Sequence, residues 1–314
     1  MIKAATSLTV ITPVYNGAKY IEETVNSILA FAPKTGFQYI VVNDGSTDET
    51  LDILKSYSSR IQIISQPNCG ESSAVNTGLL AAKGEYVVVI SSDDPIFTSE
   101  IFEGVQEFFE ANPEVSAWYP DWRMINEHGD FVRVVKPKEY SIENLVGRAI
   151  CLPGPGTFFR REMAIKIGGR QEKFKYVADY DFWLRLSDLG PLRKRNKVVA
   201  QWRYHKNSTT SSMAGLGMFK ERINVIDDFL KTRNIRGKLD RMARANTRYH
   251  ASTIKFNSSS IPARRTILKA LIIRRKWVEE MTFVASCQLL ISTNFHPEQF
   301  IRKYVNFLKV NSTE

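Results

Sequence analysis

The sequence lacks the features of a disulfide-stabilised, secreted or membrane-spanning protein. It has three cysteines in 314 residues and no Cys-x-x-Cys pair, which argues against disulfides and structural zinc. No apolar run approaches the ~20 residues that cross a bilayer, and the run from Leu8 to Thr12 is too short for the apolar region of a signal peptide. Internal repeats and low-complexity tracts are also lacking. We therefore expect a protein of a reducing compartment, the cytoplasm.

Acidic residues are scarce in the last third of the chain. Residues 1–214 contain 24 Lys and Arg against 25 Asp and Glu, whereas residues 215–314 contain 19 against 8. The apolar spacing of this last third predicts helices over 219–233, 238–255, 263–277, 278–292 and 297–309. We therefore expect two units, a main domain over residues 1–214 and a basic helical extension over residues 215–314.

Three interpretations of the basic extension stay open: docking on an anionic membrane, contact with an acidic partner and a helical cap on the main domain. It could dock on an anionic membrane, where each Lys or Arg near the surface contributes ~1 kcal/mol, and the protein would then sit peripherally on the inner face of that membrane. It could equally be a solvated helical cap on the main domain. No nucleic-acid recognition motif accompanies the charge, so we expect no nucleic acid partner.

Strands and helices alternate in the first 95 residues. Four short apolar runs are typical of strands, at 8–12, 39–42, 61–64 and 86–90. A polar loop follows each run, and Ser46-x-x-Glu49 predicts a capping box at the start of the second helix. The alternation predicts βαβ units and hence an α/β fold with a parallel sheet. Because ligands bind beyond the carboxyl ends of the strands in such sheets, the four loops should line a crevice.

Asp93 and Asp94 directly follow the fourth strand, whose unbroken apolar run indicates burial on both faces. Two adjacent carboxylates repel each other at close range, and a divalent cation relieves that repulsion. By themselves these residues fit two interpretations. One is a metal site in the crevice, and the other is the cap of a helix that begins near Thr98.

Further motifs occur together with these in the order and spacing of the family 2 glycosyltransferases. They are Pro13–Asn16, Asn43–Asp48, Gly70 through Asn76-x-Gly78, Ala82–Tyr86, Ser92–Asp94, Phe158–Arg161, Ile167–Gly169 and Asp179–Arg185. The resemblance covers roughly residues 7–210. It implies the GT-A fold, a Rossmann-like and mostly parallel sheet flanked by helices. It also implies an inverting transfer of a sugar from a nucleotide diphosphate, with UDP the best choice, to an acceptor hydroxyl.

The resemblance also assigns residues to the donor site. The positions that bind the nucleotide in the family correspond to Thr12, Pro13, Tyr15, Asp44, Asn76 and Asp93. The expected ligands of a metal ion, Mn²⁺ or Mg²⁺, are Asp94 and Asp93, since hard oxygen ligands suit either ion, and the resemblance of the segment Trp202–Ser208 adds His205. Arg203 or Lys206 would be phosphate partners.

The general base is implied in the same way. Direct displacement at the anomeric carbon needs a carboxylate aligned with the acceptor hydroxyl, and in the family it is an Asp at the start of a helix, usually preceded by Glu. Here Ala178 replaces that Glu, Asp179 aligns with the base, and Asp181 is the second choice. Residues two apart on a helix face different ways, so the two carboxylates should not share one role. The alternative is that Asp179 only caps its helix.

The chain departs from the family pattern at three positions. Ser91 stands where many members have an acidic residue, Val75 where many have Arg, and Ala178 where Glu is usual. Because the usual acidic residues are missing at Ser91 and Ala178, a second interpretation stays open, in which the protein binds a nucleotide sugar without catalysing transfer. A nucleotidyltransferase is a further alternative, but it predicts a Gly-rich basic loop after the first strand, and Pro13–Gly17 is not such a loop.

The acceptor side is expected between the metal and the base. Ser116–Tyr119 and Phe131–Val134 flank a turn and predict a hairpin. Cys151–Thr157 has too much Gly and Pro for regular structure, and it either lines the acceptor pocket or simply connects two elements. The expected acceptor is a saccharide or a lipid-linked saccharide in the assembly of a surface polysaccharide or glycolipid.

Overall fold

Eight strands form one mixed sheet in the computed structural model, which describes residues 7–205 and 216–256. The strands are β1 (Leu8–Val14), β2 (Phe37–Asp44), β3 (Gln62–Gln66), β4 (Tyr86–Val89), β5 (Ala117–Ile125), β6 (Phe131–Val135), β7 (Phe158–Arg160) and β8 (Leu192–Arg203). Their order is β3-β2-β1-β4-β7-β5-β6, and β8 pairs with β5. The first four strands are parallel, as predicted, whereas β7 runs antiparallel to β4 and β5.

Helices cover both faces of the sheet. They are α1 (Ile21–Phe31), α2 (Thr50–Lys55), α3 (Glu71–Ala81), α4 (Val105–Ala111), α5 (Arg161–Lys166), α6 (Ala178–Leu186), α7 (Leu216–Thr232) and α8 (Lys238–Phe256). A 3₁₀ turn at Ser99–Ile101 and a π-helical turn at Glu143–Gly147 complete the described elements.

The central strands are buried on both faces, which accounts for their unbroken apolar runs. Side chains alternate between the faces of a strand. Ile11 and Ile40 therefore enter one core, formed with α3, α6 and α7, whereas Val10 and Val41 enter the other, formed with α1, α2 and α4. The sheet is thus a fixed platform whose carboxyl edge positions the loops described below.

The predicted capping box at the start of α2 is wrong. The helix begins at Thr50, and the Asp48 carboxylate accepts hydrogen bonds from the Thr50 and Ala18 amides, each at 3.1 Å. Ser46 Oγ instead accepts a hydrogen bond from the Asn16 amide at 2.9 Å. These polar side chains tie the loop after β2 to the loop after β1, a contact across the sheet edge that local spacing does not reveal.

Other predicted elements are confirmed. The strands β5 and β6 pair antiparallel around the turn at 126–130, and Cys151–Thr157 has no regular structure before β7. Helices α7 and α8 correspond to the helices predicted over 219–233 and 238–255. The three helices predicted between 263 and 309 lie outside the described residues. Among the residues described, no helix is both long and apolar enough to cross a membrane.

The described part of the extension shares a core with the sheet. Four side chains of α7 are buried in the same cluster as those of α6, namely Val225, Ile226, Phe229 and Leu230. Asn246 of α8 donates a hydrogen bond to the Gly147 carbonyl at 2.6 Å. Residues 216–256 are therefore packed on the main domain.

Candidate active site

The carboxyl ends of β1, β2 and β4 open into one large cavity of about 1400 Å³. The loops after β1, β3 and β4 line it together with Asp44, the last residue of β2, as the alternation of strands and helices predicts for the carboxyl edge of the sheet. The rest of the lining includes Cys151, residues of the loop between Arg170 and Tyr176, and the first turn of α6. The cavity therefore joins the two regions that the motifs single out, the pair of aspartates after β4 and the Asp179 segment.

Pro13, near the end of β1, and Tyr15, in the loop after it, line the cavity, but Thr12 does not. The Tyr15 side chain is half exposed, so its ring is available to stack on a planar base. Thr12 is fully buried, and its hydroxyl lies 3.2 Å from that of Tyr39 on β2. The strand alternation turns the Thr12 side chain into the interior, and the expectation that Thr12 contributes to nucleotide binding stays a prediction.

Asp44, at the end of β2, is buried and holds the loop that follows β3. Its Oδ1 accepts hydrogen bonds from Gln66 Nε2 at 2.8 Å and from the Cys69 amide at 2.9 Å. Its Oδ2 accepts one from the Gly70 amide at 2.8 Å. A carboxylate offers about four acceptor positions, so Asp44 shapes the cavity and keeps capacity for a donor on a bound base.

Asn76, on α3, binds the protein backbone through both polar groups of its side chain. Its Nδ2 donates to the Arg170 carbonyl and its Oδ1 accepts from the Arg170 amide, each at 2.8 Å. The adjacent Gly169 has a φ of +67°, and a Cβ there would overlap Asn76 Oδ1. Asn76 also lines the cavity, so it anchors the Arg170 loop there, and its expected role in nucleotide binding stays a prediction.

Asp94 is almost completely buried, and its Oδ1 accepts a hydrogen bond from the Arg203 amide at 2.7 Å. Burial raises the pKa of the Asp94 carboxyl well above its ordinary value, and the charge of Asp93 raises it further, whereas the Arg203 amide and Ser91 oppose the shift. Neither aspartate caps the following 3₁₀ turn, because Thr98 does so. The helix-cap interpretation of the pair is therefore wrong.

The Arg203 guanidinium is 2% exposed and does not face a phosphate site. Its Nε donates to the Asp93 carbonyl at 2.9 Å, one terminal nitrogen donates to Glu23 at 2.6 Å, and the group lies 4.7 Å from the Tyr20 ring centroid. Arg203 therefore fixes the aspartate loop, and its expected role as a phosphate partner is wrong. Lys206, the other expected partner, lies outside the described residues.

The side chains of Asp93 and His205 meet on the cavity wall. Asp93 Oδ2 lies 2.8 Å from His205 Nε2, and the imidazole packs against the Tyr20 ring with a centroid distance of 5.3 Å. Two of the three expected metal ligands, Asp93 and His205, are thus adjacent. The third, Asp94, accepts a hydrogen bond from the Arg203 amide at the end of β8. Within residues 7–205 and 216–256, no three His, Cys, Asp or Glu side chains form a group that could hold a metal ion.

Asp179 lies in the first turn of α6 and lines the cavity. Its Oδ1 accepts a hydrogen bond from the Tyr180 amide at 2.7 Å, and its Oδ2 lies 4.0 Å from Cys151 Sγ. The positive end of the helix dipole favours a carboxylate at this place. The residue lies at N2 and not at the N-cap, which is Val177, so its function is not explained by capping alone.

The surroundings of Asp179 tune its protonation. Its carboxyl keeps a surface open to the cavity, but the dense protein around the rest of the side chain removes hydration and raises its pKa above the ordinary value. Arg170, the Tyr180 amide and Arg222 oppose this shift, while Glu71 adds to it. A raised pKa brings an aspartate nearer to the range in which a general base works well.

Asp181 is buried and engaged elsewhere. Its Oδ2 accepts from Arg185 Nε at 2.8 Å, and the same guanidinium donates to the carbonyls of Ile167 at 2.7 Å and Gly169 at 2.8 Å. Asp181 is not part of the cavity lining. The structure therefore separates the two carboxylates as expected, with Asp179 at the cavity and Asp181 in a structural ion pair.

Arg170 and Glu71 are cavity residues that the motifs did not single out. Arg170 donates to Glu71 Oε1 at 2.7 Å, and its side chain is only 13% exposed. Val75, where many relatives of the resembled family carry Arg, lies on the same helix as Glu71. Arg170 thus places a positive charge beside the start of α3, although it belongs to a different segment of the chain. In the sequence, Arg170 is marked only by the Gly168-Gly169 pair before it.

Comparison with known sequences gives a consistent result. The sequence model of glycosyl transferase family 2 matches residues 9–168. An uncharacterized glycosyltransferase of Rickettsia prowazekii (strain Madrid E) is 31% identical over 235 residues, which are 71% of this chain and 71% of that protein. The hyaluronan synthase of Pasteurella multocida is 30% identical over 65% of this chain and 21% of its own length.

Solved structures share the fold. S. aureus TarS 1-349 in complex with UDP-GlcNAc aligns with a TM-score of 0.64 over 84% of this chain and 79% of that chain, at 22% identity. A mannosyltransferase from Pyrobaculum calidifontis, in complex with GDP-Man and Mn²⁺, aligns with a TM-score of 0.54 over 90% and 84%, at 18% identity. At these identities the likeness concerns the fold alone.

Proposed function

The chain belongs to glycosyltransferase family 2 and has the GT-A fold, and from this premise we propose that it is an inverting enzyme that transfers a sugar from a nucleotide diphosphate to an acceptor hydroxyl. The observation that carries the proposal is the position of Asp179. Asp179 lines the same cavity as Asp44 and the loops that follow β1, β3 and β4. One site thus combines a nucleotide-binding edge with a positioned base.

In the proposed reaction, Asp179 takes the proton of the acceptor hydroxyl as the oxygen attacks the anomeric carbon. The bond from that carbon to the diphosphate breaks with its electron pair, and the nucleoside diphosphate leaves. Attack opposite the leaving group inverts the configuration of the sugar. Tyr15 would lie against the base, and Pro13, Asp44 and Asp93 would complete the nucleotide pocket.

A UDP-sugar is the proposed donor. Support comes from the S. aureus TarS 1-349 structure with UDP-GlcNAc and from family membership. The Pyrobaculum calidifontis mannosyltransferase is in complex with GDP-Man, so the shared fold also accommodates a purine nucleotide. Asp44 Oδ2, which retains an acceptor position, is the group through which we expect the base to be recognised.

A divalent cation, Mn²⁺ or Mg²⁺, fits the residues at the edge of β4. Asp93 Oδ2 and His205 Nε2 are 2.8 Å apart, close to the ~3 Å that separates neighbouring ligands of an octahedral ion with ~2.1 Å bonds. Two protein ligands suffice where substrate phosphates complete the shell. Bound there, the ion would neutralise charge on the departing diphosphate. We propose Asp93 and His205 as its ligands, with Asp94 placing the loop.

The alternatives are less well supported. Family membership removes the nucleotidyltransferase. The silent nucleotide-sugar-binding protein rests on the acidic residues lost at Ser91 and Ala178, yet Asp179 retains its place in the cavity and has a raised pKa. The position of Asp179 therefore supports an enzyme rather than a silent binding protein.

The acceptor and the membrane contact stay proposals. We propose a saccharide or lipid-linked saccharide acceptor, and docking of the basic extension, residues 215–314, on anionic lipid, which would place the enzyme at the inner face of the membrane. Between residues 217 and 247 the buried apolar side chains pack on the main domain, so the charged side chains of that stretch are what could meet lipid. Salt-sensitive binding to acidic but not neutral vesicles would support docking, and no binding at low salt would refute it.

The function can be tested without knowing the acceptor. UDP-glucose, UDP-N-acetylglucosamine, UDP-glucuronic acid and GDP-mannose are incubated with the protein, and the release of free sugar and nucleotide is followed. We expect hydrolysis of one donor by the wild type and its loss in Asp179→Asn, because water replaces the acceptor hydroxyl. Binding of a donor without any hydrolysis would favour the silent protein.

A further inference from the structure

Helix α7 lies beyond the residues that match the family, 9–168, and yet it contacts the loop before the proposed base. Glu221 Oε1 accepts a hydrogen bond from the Lys175 amide at 3.0 Å, and its Oε2 accepts one from the Tyr176 amide at 2.7 Å. Hydrogen bonds to a charged acceptor are stronger than neutral ones. Because each carboxylate oxygen accepts a hydrogen bond from one of two consecutive amides, Glu221 fixes both the position and the orientation of the Lys175–Tyr176 backbone.

The first turn of α7 also supports the same loop by close packing. A Cβ at Gly217 would lie 2.8 Å from the Tyr176 ring, so the helix backbone and the ring are in direct contact. Lys175 and Tyr176 in turn line the cavity. The loop is therefore held between α7 and the space that the substrates would occupy.

Little chain separates this loop from the base. Val177, the next residue, is buried and is the N-cap of α6, and its carbonyl accepts a hydrogen bond from the Asp181 amide at 3.0 Å. Asp179 follows in the first turn. A shift of the Lys175–Tyr176 backbone is therefore passed directly to Asp179, since no flexible residues absorb it.

Arg222, the residue after Glu221, lies near the start of α6, which contains Asp179 and Tyr180. The Arg222 guanidinium lies 5.6 Å from the Tyr180 ring centroid, and among the described residues its buried Nε has no hydrogen-bond partner. Its charge counters the raised pKa of Asp179. The other charged and titratable groups around that carboxyl are Arg170, Glu71 and the Cys151 thiol.

We propose that Glu221 is a positioning residue for Asp179, so that α7 completes the catalytic unit. This inference rests on the proposed role of Asp179 as the base. Glu221 holds the cavity loop so that the base stays aligned with the attacking oxygen. A small displacement of a catalytic group lowers turnover strongly, whereas the nucleotide, which binds at the other strand ends, does not sense it.

The test compares Glu221→Gln with Asp228→Asn, which removes an exposed carboxylate from the same helix. Glutamine has one acceptor oxygen and would turn an NH₂ group towards an amide donor, so at least one hydrogen bond is lost. We expect hydrogen exchange at the Lys175 and Tyr176 amides to accelerate by roughly 10- to 100-fold. We expect kcat for hydrolysis of the fastest donor of the panel to fall by about tenfold relative to the control, with donor affinity equal to that of the control.

The outcomes separate this inference from the proposed function. If Asp179→Asn hydrolyses the donor as the wild type does, the proposed base fails, whatever Glu221 does. If Asp179→Asn is inactive but Glu221→Gln has the kcat of Asp228→Asn, the base stands and the positioning role is overturned. Faster amide exchange with unchanged kcat also overturns the positioning role, because Glu221 would then hold the loop without affecting catalysis by Asp179.

Two further variants cover the case in which Glu221→Gln is poorly folded. Glu221→Asp keeps the charge, and we expect it to retain more turnover than Glu221→Gln; equal loss in both would count against the proposal. Arg222→Met removes the cation near Asp179, so the acid limb of kcat/KM should move to higher pH. An unmoved limb would contradict the part of the account that gives α7 an electrostatic effect on the base.

Discussion

His205 and Asp93, 112 residues apart in the chain, place Nε2 and Oδ2 within 2.8 Å of each other on the cavity wall. The contact joins the end of β8 to the loop after β4. It brings a nitrogen ligand beside an oxygen ligand at the strand edge where the diphosphate of a donor is expected. The pair is therefore the place at which metal dependence should be tested.

We expect UDP to bind more weakly in EDTA than in Mn²⁺, by about tenfold or more, because the diphosphate loses its counter-charge. His205→Ala should remove most of the difference. His128→Ala, which truncates an exposed histidine of the β5–β6 turn, is the matched control. Calorimetric titration gives the affinities, and equal affinity in Mn²⁺ and EDTA would contradict the proposed site.

The two aspartates of α6 should respond differently to the same substitution. Asp179→Asn should lower transfer by roughly 10²- to 10⁴-fold with little change in donor affinity, because it removes the base. Asp181→Asn should instead lower the free energy of unfolding by about 3 kcal/mol, because it leaves the Arg185 guanidinium without its buried partner. Turnover per folded molecule and urea unfolding measure the two effects. A less active Asp181→Asn enzyme would reverse the assignment.

The raised pKa of Asp179 predicts a pH-dependent stability. The folded state binds the proton of this carboxyl more tightly than the unfolded state does, so the stabilisation it provides is complete below the unfolded pKa, ~3.9, and is lost as pH rises through the folded pKa. The wild type should therefore become less stable relative to Asp179→Asn over this interval. Urea unfolding of both proteins at a series of pH values checks it. A constant difference would show that the pKa is not raised.

The glycine pair before Arg170 offers a matched test of the Asn76 anchor. Gly168 and Gly169 both have positive φ, but a Cβ meets nothing within 4 Å at Gly168 and overlaps Asn76 Oδ1 at Gly169. Gly168→Ala should cost ~1–2 kcal/mol for the left-handed backbone alone. Gly169→Ala should cost clearly more and should also lower transfer, because Arg170 shifts. Equal losses of unfolding free energy would contradict the anchor.

The sequence predicted what depends on local pattern. The unbroken apolar runs predicted the central strands, because neighbouring residues such as Val10 and Ile11 are buried in different cores on the two faces of the sheet. The helical spacing of apolar residues predicted α7 and α8. The crevice followed from the parallel order of the strands. The place of Asp179 in a helix start was likewise evident from the chain.

What the sequence could not predict depends on partners far along the chain. Asn76 and Arg170 are 94 residues apart, and Asp94 and Arg203 are 109 apart, so only the fold shows that these polar groups are already engaged. The burial of the Thr12 side chain was not evident either, because a strand buried on both faces shows no alternation of apolar and polar residues. Glu221 lies outside every motif, and its role depends entirely on how α7 packs.

If Asp179 activates a nucleophile for inverting displacement, the configuration of the newly released sugar must be inverted. An α-linked UDP-sugar that the protein hydrolyses is followed by proton NMR from the first minutes, before the anomers equilibrate. We expect the β-anomer to be released first and Asp179→Asn to release little or none. Initial release of the α-anomer, or equal release by Asp179→Asn, would contradict this role of Asp179.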